Sequence, residues 1–356
     1  MEEASVSIRL NPFKGLDGPE GSPVPWSPFG RILDSRPQFT LDPRLHAGCY
    51  YVQDSSAMFV GHVFRRELER LGVREGLRVL DLCASPGGKT TDLAASLRER
   101  FGDRYSLLAN EVMRNRYAVL RSNVETWRDP RVGTVSRDPS AFGEDPVFDA
   151  IVADGPCSGE GMFRKDQQAI DEWSPKTVEF CAARSRRILS DIWPTLKPGG
   201  ILIYSTCTFN HFENDDTVEW IARELGADVL PLPPFSPAVN TKYGYALLPG
   251  LVPGEGQYVA ALRKHGGADG PSRVAGPLFS DGTGTSIPQG EGPLVNVDRL
   301  TALHYLHGDA IVLPEDAPIG PVTIAYEGHA LGPGKNLGKR CNNLYPKNKR
   351  IRMDIR

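Results

Sequence analysis

Two cysteines stand where a thiol could do chemistry. Cys157 lies in FDAIVADGPCSGEGMFRKD, residues 148–166, and Cys207 in YSTCTFN, residues 204–210. Each follows directly on an apolar run that reads as a strand buried on both faces. Asp154 ends the first run, and Gly155-Pro156 lets neither strand nor helix continue. A carboxylate and two thiols at the carboxyl ends of strands in one parallel sheet would share the crevice where open α/β folds bind ligands. A thiolate there is a nucleophile for covalent catalysis. Gly159 and Gly161 keep the loop low enough for a planar substrate to approach the backbone. Cysteine is also a small, commonly buried hydrophobe, and that reading suits Cys49, Cys83, Cys181 and Cys341. The polar and glycine neighbours of Cys157 and Cys207 set them apart.

A second group of residues could hold a nucleoside. RVLDLC, residues 78–83, reads as a strand running into ASPGGKT, residues 84–90, and then a helix. A triphosphate-binding loop would need glycine six residues before Lys89, where Cys83 stands, and no G-x-G-x-x-G is present. What fits is a loop of Ser85, Pro86, Gly87, Gly88 and Lys89 around an amino acid and a ribose. Glu111 ends the second strand, placed to accept both ribose hydroxyls. Asp138, just past the third, could receive an adenine amino group. A single acid at a strand end is more often a helix cap; Glu111, Asp138 and Asp154 in register are harder to explain that way.

The elements that must position these groups alternate. Strands are expected at 78–83, 105–111, 132–136, 148–153 and 201–206, and helices at 89–101, 114–126, 174–196 and 214–225, the third closed by Lys197-Pro198-Gly199-Gly200. A further helix opens after a cap at Asp54 or Ser55, with Met58, Val60, Val63, Phe64 and Leu68 at helical spacing. This order calls for an α/β fold with a doubly wound parallel sheet. Residues 1–48, rich in Pro and Gly, read as a docked lobe without its own core, with a short strand at SIRLNP. Residues 49–265 form the α/β domain and 266–277 a linker. Residues 278–356 form a small β-rich module with strand-like AIVLP and PVTIAYE.

Composition bounds the partners. The chain of 356 residues is long enough for two or three domains, and 40% hydrophobic with 24% charged is ordinary for a globular protein. No apolar run approaches membrane-spanning length. MEEASVSIRLNP has no secretory leader pattern, and no C-x-x-C occurs, so a cytoplasmic protein with reduced thiols and no metal is expected, a monomer by default. The net charge is −3, but residues 335–356 hold eight basic residues against Asp354 alone. That local +7 leaves −10 for the rest, a basic segment on an acidic body that suits phosphates. Lys335, Lys339, Arg340, Lys347 and Lys349 belong to it.

Together these residues resemble the Sun/RsmF-type family of RNA 5-methylcytosine methyltransferases, nearest its small-subunit (16S) rRNA branch. The resemblance runs from SIRLNP and HAGCYYVQDSSAM through LDLCASPGGKT, DGPCSGEGMFRKD and YSTCTFNHFEND to GQYVAALRK and GKNLGKRCNNLYPK. It implies S-adenosylmethionine as methyl donor, a Rossmann-like seven-stranded core with an antiparallel last strand at 258–262, and a C-terminal PUA-like RNA-binding module. It implies small-subunit ribosomal RNA as substrate, with transfer RNA as the alternative. By the same resemblance Cys207 adds to cytosine C6, Cys157 assists release of the product, and Asp154 hydrogen-bonds the base near N3. The cofactor would contact the 85–89 loop with Glu111, Arg116, Asp138 and Asp154, and Arg164 and Lys165 would meet RNA phosphates. Lys89 or Lys165 would supply the charge that activates Cys207. Family members usually carry Ala at the positions of Ser85 and Gly155 and more residues ahead of SIRLNP. A non-catalytic RNA-binding assembly factor is the reading from another class, opposed by the intact Asp154, Cys157 and Cys207. A DNA cytosine methyltransferase is the third, opposed by the RNA-type module.

Overall fold

Alternation of buried side chains on successive strand residues builds the centre of the molecule. In Leu77–Asp81 (β1), Val79 faces one apolar cluster and Leu80 another; in Phe148–Asp154 (β4), Val152 and Ile151 do the same. A sheet apolar on both faces must be covered on both, which is why helices flank it. The computed structural model describes residues 5–71, 76–266 and 292–355. The other strands are Tyr105–Asn110 (β2), Val132–Val135 (β3), Leu196–Thr206 (β5), Ala227–Val229 (β6) and Gln257–Lys264 (β7). Their order is 3-2-1-4-5-7-6, with β1 to β5 parallel and β7 antiparallel to β5. The seven strands of the expected core are thus present. Two short strands, Val239–Asn240 and Tyr245–Leu247, extend the sheet beyond β7, making nine.

One face is covered by Met58–Arg70 (α1), Gly88–Phe101 (α2) and Arg114–Trp127 (α3), the other by Pro175–Ile192 (α4) and Asp215–Glu224 (α5). Asp54 anchors the turn before α1 by accepting the amides of Ser56 and Ala57. Ser174 caps α4 through the Thr177 amide, but the helix stops at Ile192 and not near Leu196. Pro194 has no amide to continue the ladder, so a 3-10 turn, Trp193–Thr195, intervenes. Residues 197–200, expected to terminate the helix, open β5 instead, where the Lys197 ammonium lies 2.7 Å from Asp149 in the neighbouring strand.

The amino-terminal strands Val6–Leu10, Gly30–Leu33 and Tyr50–Val52 pair with one another. The carboxy-terminal strands Gly320–Tyr326, His329–Asn336 and Cys341–Asn343 form a second small sheet with Leu294–Asn296, beside a helix, Arg299–His307. These two parts share one apolar cluster: Ile8, Leu10 and Tyr50 pack in it with Tyr305, Leu306, Ile324 and Leu331. The lobe has no core of its own because it completes the module's. AIVLP contributes only a bridge from Ile311 to Cys341, and the helix at 299–307, capped by Asp298, was not expected. Of the 266–277 linker, all but Gly266 lies outside the described residues. No helix among the described residues is long and apolar enough to cross a membrane.

Candidate active site

β4 and β5 are neighbours, paired from Ala150 with Ile201 to Asp154 with Ser205, so the loops that follow them leave the sheet side by side. This register brings Cys157 Sγ to 3.2 Å from Cys207 Sγ, both half-buried and both free thiols. The loops are bound to each other by groups on both. Glu213 accepts the Ser158 amide at 2.8 Å and hydroxyl at 2.6 Å, and the Asn210 side-chain amide at 2.6 Å. The Gly161 amide donates to the Cys207 carbonyl at 2.8 Å. A Cβ on Gly161 would stand 2.9 Å from that carbonyl oxygen, so this position requires glycine.

Asp154 is fixed on both oxygens. Lys89 Nζ lies 2.8 Å from Oδ2, the Ser205 hydroxyl donates to Oδ1 at 2.7 Å, and the Gln257 amide reaches Oδ1 at 3.3 Å. Lys89 reaches it because it sits in the first turn of α2, just beyond β1, which adjoins β4. The Cys207 thiol is lowered from its ordinary value, first because the Cys157 S–H donates to it. Burial and the Asp154 charge oppose this, and the Lys89 ammonium assists. Cys157 is pushed well up, first by the same bond to Cys207 and then by burial. The two shifts are opposed, Cys207 down and Cys157 up, which favours the thiolate, the more reactive form, at Cys207 over Cys157. Of the two lysines considered for activating Cys207, Lys89 pairs with Asp154 beside the thiols, whereas Lys165 pairs with Glu255.

The residues expected to hold a nucleoside follow the carboxyl ends of β1, β2 and β3. The 85–89 loop is clamped: the Ser85 hydroxyl donates to the Arg116 carbonyl, Arg116 Nη2 returns a bond to the Ser85 carbonyl, and Asn123 and Tyr51 both donate to the Pro86 carbonyl. Gly87, at φ +108°, turns the chain into α2. Arg9, fully buried, donates to the Gly88 carbonyl at 3.2 Å with its guanidinium over Trp127. Glu111 is buried, one oxygen accepting the Met113 amide and the other 3.5 Å from Arg116. Asp138 is half-exposed and caps a 3-10 turn through Ser140, with Arg187 at 3.5 Å.

Asp81, not singled out in the sequence, is the other acid here. It is fully buried, Oδ2 takes the Thr90 hydroxyl at 2.6 Å, and Oδ1 has no partner. Burial above all, against the Thr90 bond and the Lys89 charge but with those of Asp154 and Glu111, pushes its carboxyl up to about 7. A crevice with Asp81, Glu111 and Asp154 against Lys89 suits a ligand with cationic centres. The S-adenosylmethionine implied by the resemblance, with its sulfonium and ammonium, fits these residues. Among the described residues no group of His, Cys, Asp and Glu is arranged to hold a metal ion.

The basic residues divide. Lys335, Lys339, Arg340 and Lys347 are exposed. Lys349 is not available to a phosphate as the sequence suggested: its side chain is 7% exposed, with Nζ 2.8 Å from Glu125 on α3. It docks the carboxy-terminal module, as Arg128 does by donating to the Ala330 and Leu331 carbonyls. Arg164 donates to the Gly254 carbonyl at 3.1 Å, and its neighbour Lys165 is half-exposed. Glu160, Glu213, Ser205 and Gln257 also serve the site and were not identified from sequence. All but Gln257 were already inside the quoted thiol motifs; for the two glutamates, an acid following each cysteine at short range was the available signal.

Comparison with known proteins places these features. Residues 69–263 match the family model described as 16S rRNA methyltransferase RsmB/F, residues 293–351 that of the methyltransferase RsmF PUA domain, and residues 1–55 that of the N-terminal domain of 16S rRNA methyltransferase RsmF. Ribosomal RNA small subunit methyltransferase F of Salmonella paratyphi A is 36% identical over 277 residues, 73% of this chain and 56% of that protein. The Klebsiella pneumoniae protein of that name is 35% identical over 282 residues, 74% and 57% of the respective chains. The chain thus spans a little over half the length of the curated relatives it matches. Among solved structures, a methyltransferase homologue from Pyrococcus horikoshii superposes with a TM-score of 0.59 at 27% identity, covering 74% of this chain and 87% of that one. NSun6 from Pyrococcus horikoshii, solved with SFG, gives 0.52 at 27% identity, covering 62% and 54%.

Proposed function

The chain belongs to the 16S rRNA methyltransferase RsmB/F family, and from that premise we propose that it methylates carbon 5 of a cytosine in small-subunit ribosomal RNA through a covalent bond from Cys207 to C6. The observation that carries this reading is the polarised thiol pair, Cys157 Sγ 3.2 Å from Cys207 Sγ beside the Lys89–Asp154 ion pair.

Cytosine C5 is too weak a nucleophile to take up a methyl group unaided. Addition of the Cys207 thiolate to C6 makes C5 an enamine carbon, splitting one difficult step into two. The Lys89 ammonium, held in place by Asp154, faces the N3 edge of the ring, where negative charge collects on addition. S-adenosylmethionine, bound among the 85–89 loop, Asp81, Glu111, Arg116, Asp138 and Asp154, supplies an electrophilic methyl.

Release then needs a base for the C5 proton. Cys157 is held protonated chiefly by its bond to the charged Cys207 sulfur. Once that sulfur is bonded to C6 its charge is gone, and Cys157 can give up its proton to solvent water. The Cys157 thiolate takes the C5 proton, the electron pair forms the C5=C6 bond, and the C6–S bond breaks to return the Cys207 thiolate. Because C6 is unreachable inside a duplex, the cytosine must be unpaired or flipped. Arg164, Lys165, Lys335, Lys339, Arg340 and Lys347 are the proposed phosphate contacts.

The test is Cys157→Ala incubated with S-adenosylmethionine and unmodified ribosomal or transfer RNA, run on a denaturing gel. A slow-migrating protein–RNA adduct with ribosomal RNA, absent from the Cys157→Ala, Cys207→Ala double variant, is the expected result. An adduct with transfer RNA alone would refute the substrate, and an adduct that survives the loss of Cys207 would refute the nucleophile.

A further inference from the structure

Glu160 is used by neither thiol directly, yet one carboxylate gathers four donors. Oε2 accepts the amides of Phe209 and Asn210 at 2.6 and 3.2 Å, and Oε1 accepts the Asn210 side-chain amide at 3.2 Å and the indole N–H of Trp173 at 3.1 Å. Three of these donors lie on the loop that leaves Cys207. The fourth belongs to a tryptophan that ends the short helix Gln167–Glu172, is 37% exposed, and joins none of the three apolar clusters. A large ring held by its N–H and left in solvent contributes little to the core. Beyond Asn210 the rings of His211 and Phe212 lie 4.0 Å apart, both residues exposed. The rim of the thiol site therefore carries exposed aromatic surface on both of its loops. Exposed rings are what single-stranded RNA stacks on, with little dependence on sequence. Asp166, Asp171 and Glu172 flank Trp173 and repel phosphate, so a contact there falls on a base.

We propose that Trp173 is the platform on which a base flanking the target cytosine stacks, and that Glu160 couples that platform to the loop carrying Cys207. The inference rests on RNA being the substrate. Engagement of Trp173 then holds its indole N–H on Glu160, and Glu160 in turn holds Phe209 and Asn210, which fixes the direction in which Cys207 meets C6. Trp173 touches substrate; Glu160 is a positioning residue.

The test uses Trp173→Ala, Trp173→Phe and Glu160→Gln in the full chain. Affinity for a short single-stranded, cytosine-containing oligoribonucleotide is read by fluorescence anisotropy, and single-turnover methyl transfer is measured separately. Trp173→Ala should weaken binding roughly 5- to 160-fold, the range for loss of one stacked base, and Trp173→Phe should restore most of it. Glu160→Gln puts an amide donor among donors; it should leave RNA affinity within about two-fold while slowing transfer about ten-fold or more, as misplacement of a reacting group does. Unchanged binding by Trp173→Ala, or no rescue by Phe, overturns the platform; an unchanged single-turnover rate in Glu160→Gln overturns the coupling. A wild-type protein that binds the oligonucleotide but methylates no RNA would sink the proposed function while the binding comparison still decides Trp173.

Discussion

Replacing Gly161 with alanine tests the placement of Cys207 most directly. The added Cβ would lie 2.9 Å from the Cys207 carbonyl oxygen, 3.2 Å from the Glu255 carbonyl oxygen and 3.6 Å from Cys207 Cβ. The first two are backbone atoms, which cannot rotate aside. An ordinary carbon–oxygen contact begins near 3.4 Å, so the Cys207 loop must retreat by about 0.5 Å, given that atomic repulsion rises steeply below contact. That retreat also stretches the Gly161 amide bond to the same carbonyl, now 2.8 Å. Overpacking costs about 1–3 kcal/mol and the weakened bond about 1 kcal/mol more. A misplacement of about 1 Å can cost about 100-fold in rate, so half of that predicts about ten-fold. The assay is single-turnover methyl transfer under saturating S-adenosylmethionine, beside a thermal melt. Gly159→Ala is the comparison: at φ +77° alanine is strained, by about 1–2 kcal/mol, but its Cβ meets nothing nearer than Met162 at 3.9 Å. It should lower the melting temperature with little change in rate. If Gly161→Ala turns over and melts like the wild type, the close approach of the two loops is wrong.

Glu111→Ala should weaken S-adenosylmethionine binding by about 1.5–3 kcal/mol for each charge-assisted hydrogen bond lost; unaltered calorimetric binding would remove Glu111 from the pocket. Replacing Cys157 with alanine removes the donor that lowers Cys207, whereas serine keeps a hydroxyl. Raising the Cys207 pKa leaves less thiolate at any given pH, so the rise of adduct formation with pH should lie at higher pH in Cys157→Ala than in Cys157→Ser. Coincident profiles in rapid-quench experiments would show that Cys157 does not polarise Cys207. Lys349→Met leaves Glu125 with Arg121, 2.9 Å from its other oxygen, but removes the contact that docks the module, and should cost about 1 kcal/mol of stability, without changing the salt dependence of RNA binding. Lys339→Ala with Lys347→Ala should do the reverse, reducing the slope of log affinity against log salt by about 1.4 for single-stranded RNA.

The sequence by itself determined the sheet and the thiols. Apolar runs such as 148–153 and 201–206 are buried on both faces, and that requirement is local enough to read from residue type. Asp154, Cys157 and Cys207 were legible because each ends or follows such a run, and a strand's end is where a parallel sheet opens. Their mutual distance was not legible. The 3.2 Å between the sulfurs depends on β4 and β5 being neighbours in register, a pairing between segments 50 residues apart. The same holds for Lys89, which rather than Lys165 stands on Asp154 beside Cys207 only because β1 adjoins β4. Lys349 shows the limit of charge counting: its run is basic, but whether an ammonium faces solvent or Glu125 depends on how a distant module docks. The amino-terminal lobe shows the limit of local composition, since Ile8 and Leu10 are buried by Tyr305 and Leu306. Patterns that repeat along the chain fix the elements, whereas charge pairs and shared cores arise from contacts between segments far apart in sequence, which only tertiary structure decides.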